Sequence, residues 1–127
     1  MKTAIFRDGM LLTAYCALIF ALSHQPALPV PMLFPHQDKV HHLLAYAAMG
    51  LLAWRLFAHR IPTPQRLWLA TTLFCSLYGA SDEFHQSFIS GRESDIFDWL
   101  ADTLGAAIAA AGMARYLRKF NPKPIVT

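Results

Sequence analysis

YGASDEFHQSFISGRESDIFDW, residues Tyr78–Trp99, is the stretch on which the reading of this chain turns. Fifteen uncharged residues, Leu67 to Ser81, run straight into the adjacent carboxylates Asp82 and Glu83. His85, Gln86, Arg92, Glu93, Asp95 and Asp98 follow within a short loop and the start of the next apolar run. An apolar segment that ends so abruptly in charge marks a boundary between two media. The remainder of the chain says which media those are.

Of the 127 residues, 55% are hydrophobic and 15% charged, where soluble domains carry about 25% charged residues. The length suits a single domain, 1–127, with no room for a second core. Mean hydropathy is positive. These features point to an all-α membrane protein. Cys16 and Cys75 each lie inside an apolar run and read as packed thiols, not as a disulfide or metal framework. There is no repeat and no glycine-rich phosphate loop, and nothing implies a nucleic-acid partner.

Four runs read as helices, approximately 9–23, 40–58, 67–86 and 96–117. A helix rising 1.5 Å per residue needs about 20 residues to cross a ~30 Å hydrocarbon layer. The second and fourth runs meet that length, and the first and third fall short as delimited. Proline breaks the connectors: Gln25–His36 holds four prolines and Ile61–Gln65 two. The first run has a second reading as a signal peptide, with Lys2 and Arg7 as basic start and Ala21-Leu22-Ser23 as cleavage site. On either reading residue 24 emerges on the far side.

Charge sorting orients the bundle. With four spans, Lys2, Arg7, Arg55, Arg60, Arg66, Arg115, Arg118, Lys119 and Lys123 share one side, nine of the eleven cations. The positive-inside rule makes that side, with both termini, cytoplasmic. Seven of eight acids and five of six histidines fall on the opposite, extracytoplasmic side, opposed there only by Lys39 and Arg92.

Periodicity brings these groups together. Asp38, His42 and Tyr46 share a face of the second run at i, i+4 and i+8. Gly79, Asp82, Glu83 and Gln86 form a stripe on the third. Asp98 and Asp102 open the fourth, with Gly105, Ala109 and Gly112 continuing that face. A carboxylate deep in a bilayer costs about 2.5–3.5 kcal/mol even on lenient scales, and such groups face a bundle interior or a wet cavity. One shared cavity near the outer surface is the economical reading.

Several residues also carry a plainer reading. Asp98 suits a helix N-cap. Glu93 and Asp95 suit solvated loop acids, and His24, His36 and His41 interfacial positions. Trp54, Trp68 and Trp99 suit interfacial anchors, and Ala101, Gly105 and Ala109 a helix-packing seam. Lys39 and Arg92 each suit a structural ion pair.

The segments DKVHHLLAYAAMGLL (Asp38–Leu52) and YGASDEFHQSFISGRESDIFDWLADTLGA (Tyr78–Ala106) resemble the two signature blocks of the VanZ-like family, small multi-pass bacterial membrane proteins named after an accessory protein of teicoplanin resistance. The matching positions are Asp38, Lys39, His42, Tyr46, Gly79, Asp82, Glu83, Gln86, Gly91, Arg92, Asp98 and Gly105. Asp102 departs from the pattern, which favours Asn there. The first run and its connector carry no part of it. The resemblance implies a cell-membrane location and a link to the cell envelope. The family name alone does not carry glycopeptide resistance to this chain, although a link to glycopeptide susceptibility is part of what the resemblance implies, and the phosphotransbutyrylase label of some relatives finds no site here.

On the resulting reading the polar end binds or processes an envelope lipid or lipid-linked precursor. Glu83, Asp82 and His42 are the candidate acid/base groups. Asp38, Lys39, Tyr46, Gln86, Arg92, Asp98 and Asp102 are candidate ligand contacts, with Lys39 and Arg92 on phosphate oxygens. No spacing is a recognised metal motif and no cofactor is named, although His42, Asp82, Glu83, Asp98 and Asp102 together suit a divalent cation. A non-enzymatic scaffold or docking protein is the alternative. A proton- or ion-coupled transporter ranks third, because the runs are apolar below their outer thirds and a path would require a homo-oligomer.

Overall fold

The computed structural model describes residues 2–27 and 30–120, with the side chain of Phe120 excepted. Pro29 and Lys123, used above, lie outside the described residues. Four α-helices make up the architecture: α1 (Lys2–Ser23), α2 (Gln37–Phe57), α3 (Pro64–Gln86) and α4 (Ile96–Phe120). No strand occurs among the described residues.

The helices start earlier or end later than the apolar runs alone imply. The largest difference is α1, which begins at Lys2 and not at Gly9. Arg7 and Asp8 do not break it, because neither is a helix breaker and Asp8 is neutralised by tertiary partners. Its carboxylate lies 2.9 Å from Arg55 Nη2 and 3.0 Å from His59 Nε2. At 22 residues α1 reaches spanning length. Lys2–Ser23, Gln37–Phe57 and Ile96–Lys119 are all long and apolar enough to cross a membrane. α3 has 23 residues, but its threonines, serines and terminal acids lower its hydropathy.

Consecutive helices alternate in direction, so the ends of α1 and α3 meet the starts of α2 and α4. At that end Ser23 bonds to Asp82 and Lys39 to Asp98. The two described termini lie together at the other end, where Asp8 meets Arg55. α2 and α4 run parallel and pack most closely. A β-carbon on Gly105 would overlap the Leu43 carbonyl oxygen, and one on Gly50 would lie 3.0 Å from Ala106 Cα. The small-residue seam is therefore Gly105, Ala106 and Ala110 against α2. The face that Asp98, Asp102 and Gly105 share does not stay in contact as far as Gly112, which has open space beside it. Gly105 sits where the α2 backbone crosses, and the face in contact drifts from there to Ala106 and Ala110.

Burial is distributed as in a membrane bundle. Leu69, Leu73 and Leu77 on α3 and Leu100, Leu104 and Ile108 on α4 are exposed, while Asp82, Glu83, Gln86, Asp98 and Asp102 are buried. An exposed apolar belt around a polar interior fits surroundings that are themselves apolar. Trp54 is not an interfacial anchor: it is buried with Leu67, Ala110 and Ala114. Only the adjoining small residues of α4 leave room for an indole there. Cys16 and Cys75 are free thiols, the latter wholly buried in the core.

Candidate functional site

Three helix ends and one loop bring the ten candidate residues to one end of the bundle. On α2, Asp38, Lys39, His42 and Tyr46 occupy the first three turns, so one rotation per turn aims them at α3 and α4. Lys39 Nζ lies 2.8 Å from Asp38 Oδ2 and 2.8 Å from Asp98 Oδ1, and also donates to Asp95. The hydrogen bond from this ammonium holds the Asp95 carboxyl below the usual carboxylate range.

Asp95 is thus a partly exposed loop acid that is also held by tertiary bonds. Its Oδ1 also accepts from the Phe97 amide at 2.8 Å, which caps α4. The N-cap expected at Asp98 belongs to Asp95, and Asp98 turns inward from the first helical turn. Asp95 also ties the loop to α3, since its amide donates to Glu83 Oε2 at 2.8 Å.

One turn deeper, His42 Nδ1 lies 2.9 Å from Asp102 Oδ1. The His42 Nε2 atom is 3.8 Å from Asp98 Oδ2, too far for a hydrogen bond. Asp102 is fully buried, and Gly79 leaves the space that it fills. Three buried oxygens here have no hydrogen-bond partner: Tyr46 Oη, Glu83 Oε1 and Asp102 Oδ2. Because a buried polar group without a partner is destabilising, such atoms call for an explanation.

α1 contributes as well. Ser23 Oγ donates to Asp82 Oδ2 at 2.9 Å, and Gln86 Nε2 donates to the same oxygen at 3.2 Å. Asp82 is therefore held by its neighbours. His24 stacks on His85, with ring centroids 5.3 Å apart and Nδ1 and Nε2 at 3.2 Å. Ser23, His85 and Asp95 are polar-end contacts that spacing did not reveal. For Ser23 the one signal was its place as the last residue of an apolar run.

A cavity of about 120 Å³ opens beside this network, lined among others by Ser23, His41, His42, Tyr46, Asp82, Gln86 and Arg92. Among the described residues Arg92 forms no ion pair and no side-chain hydrogen bond. Gly91 supplies the positive φ, 84°, that turns the chain just before it. Lys39 and Arg92 are thus placed differently: Lys39 is enclosed by carboxylates, and Arg92 faces a space. Glu83 does not line this cavity.

The family profile described as VanZ/LLP1 matches residues 9–117. The chain belongs to the VanZ/LLP1 family. The match takes in all four helices, including most of α1, which carries none of the signature residues. A fission-yeast relative, uncharacterized protein C11E3.10 of Schizosaccharomyces pombe, is 34% identical over 107 residues. That alignment covers 84% of this chain and 58% of the yeast protein, so the chain spans little more than half of that relative's length. No solved structure matches this VanZ/LLP1 chain. A fungal relative also means that membership of VanZ/LLP1 does not by itself imply a bacterial wall.

Proposed function

We propose that this VanZ/LLP1 protein crosses the membrane four times with both termini cytoplasmic. Its polar end then opens to the extracytoplasmic side and binds or processes the anionic headgroup of an envelope lipid or lipid-linked precursor. Two features support four spans. The cations sort to the end holding the termini, as the positive-inside rule requires. The stripe Leu69, Leu73 and Leu77 gives α3 an exposed apolar face despite its modest mean hydropathy.

The observation that carries the headgroup reading is the pairing of Arg92 with Tyr46. Both line one cavity, the guanidinium with no carboxylate on it and the hydroxyl buried with no acceptor. An anion with several oxygens satisfies both, and guanidinium suits phosphate because its donors match two oxygens at once. Gln86 and His41 line the same space and help to orient the ligand. His42 lines the cavity and Glu83 does not, so His42 is the candidate acid/base group beside the headgroup, while Asp82 positions Gln86 and Ser23. A ligand shared with a fungal relative favours a phospholipid headgroup over a precursor confined to bacterial walls, and no role in glycopeptide susceptibility is needed.

Native mass spectrometry of the full chain with added phosphatidylglycerol tests this. Arg92→Gln removes charge-assisted bonds worth about 1.5–3 kcal/mol, so affinity falls roughly tenfold to a hundredfold. Its melting temperature stays at the wild-type value, because no internal partner is lost. Wild-type affinity in Arg92→Gln overturns the reading. The alternative is a non-enzymatic scaffold or docking protein, favoured by the internal bonding of Asp82, Ser23 and Gln86. Loss of Arg92→Gln from the membrane would support it.

A further inference from the structure

We infer that His42, Glu83 and Asp98 form a binding site for one divalent first-row cation, Zn²⁺ or Mn²⁺. The inference rests on the polar end being a ligand site, and it names a second ligand there beside the headgroup.

Each of the three side chains is anchored through one atom and has the other free. His42 is held at Nδ1 by Asp102 Oδ1, which leaves Nε2 for a ligand. Asp98 is held at Oδ1 by Lys39 Nζ, and Oδ2 points toward His42 Nε2 at 3.8 Å. Glu83 is held at Oε2 by the Asp95 amide, and its buried Oε1 has no partner. One donor atom from each residue lies within 4.8 Å of the others. Imidazole nitrogens and carboxylate oxygens bind such ions at about 2.0–2.2 Å, which sets donor separations up to about 4 Å. Small inward rotations complete that geometry.

Glu83 is only 5% exposed and Asp98 7%. The buried carboxylates Glu83, Asp98 and Asp102 face one ammonium, that of Lys39, which leaves a surplus of negative charge that a divalent cation reduces. A carboxylate on the far nitrogen of a ligating histidine is the usual second-layer support of a metal site, because it fixes the tautomer and raises basicity. Asp102 stands there. The neighbouring acidic group, Asp38 with Asp95 and Asp98, does not compete, because Lys39 Nζ already occupies its centre. The mixed nitrogen and oxygen set suits zinc or manganese better than the all-oxygen preference of magnesium and calcium.

The test uses the full chain purified in detergent, stripped with EDTA and dialysed against Zn²⁺ or Mn²⁺. Metal content is read by elemental mass spectrometry and stability by thermal melting. The expected result is one ion per chain and a higher melting temperature with metal. His42→Gln and Glu83→Gln lose the ion, and Asp102→Asn binds it about 10–100-fold more weakly. Asp38→Asn, on the Lys39 side, keeps it, and so does Arg92→Gln. The assignment is overturned if wild type holds no ion, or if His42→Gln keeps one that Asp38→Asn loses. Should Glu83→Gln fail to fold, His42→Gln decides alone, since glutamine can still hydrogen-bond Asp102. Headgroup binding without metal sinks this assignment only, and metal without headgroup binding sinks the headgroup reading only.

Discussion

Gly79 on α3 faces Asp102 on α4 so closely that a β-carbon at position 79 would lie 2.8 Å from Asp102 Oδ2. The missing side chain is what lets a buried carboxylate stand between two helices and reach His42. Gly79→Ala forces Asp102 to move, and a carboxylate on a single methylene has little freedom to do so. The variant should lose about 1–3 kcal/mol of stability, as overpacked interiors do. A lower melting temperature, together with weaker metal binding, is the expected outcome; an unchanged melt contradicts it.

Three glycines make a graded series along the helices. Gly105→Ala drives a methyl group into the Leu43 carbonyl, against backbone that cannot rotate away, so α2 and α4 must separate. This variant should accumulate poorly or melt at much lower temperature. Gly112→Ala meets open space and should fall within about 1 kcal/mol of wild type. Gly50→Ala, at 3.0 Å from Ala106 Cα, should lie between them. Melting curves in one detergent give the order directly.

Ser23 ties α1 to the polar end. Ser23→Ala leaves Asp82 Oδ2 with Gln86 alone, and loss of one partner from a buried carboxylate costs about 1–3 kcal/mol. Ser23→Thr keeps the hydroxyl and should recover most of that stability. Equal melting of the alanine and threonine variants would show that the bond contributes nothing.

At the opposite end, Asp8 binds Arg55 and His59 across the α1–α2 contact. Asp8→Asn and Arg55→Met should each lower the melting temperature. The double variant should be no worse than the more damaging single one, because both remove the same interaction. Additive losses would mean that the pair is not coupled.

Sidedness is open to cysteine labelling in intact cells. Ser94 and Thr63 are exposed and lie on opposite connectors, while native Cys75 is buried. Ser94→Cys should react with a membrane-impermeant maleimide from outside, and Thr63→Cys only after lysis. The reverse pattern would invert the proposed topology.

Four helices, their proline-marked connectors and the polar ends of three of them were legible in the sequence, because hydropathy runs and i, i+4 spacing are local properties. His42, Asp98 and Asp102 could be placed on inward faces by period alone. The start of α1 was not legible: Arg7 and Asp8 look like a terminus until Arg55 and His59, some fifty residues away, neutralise the acid. Trp54 likewise looks like an interfacial residue until Ala110 and Ala114 are seen to make room for it.

What the sequence determined by itself is that apolar helices carry acids and imidazoles at one end. Tertiary structure decided which charges cancel. Lys39 is enclosed by Asp38, Asp95 and Asp98, whereas Arg92 faces a cavity and Glu83 retains an unpartnered oxygen. Electrostatic pairing depends on distances of a few ångströms between atoms far apart in the chain, and no one-dimensional pattern holds those distances.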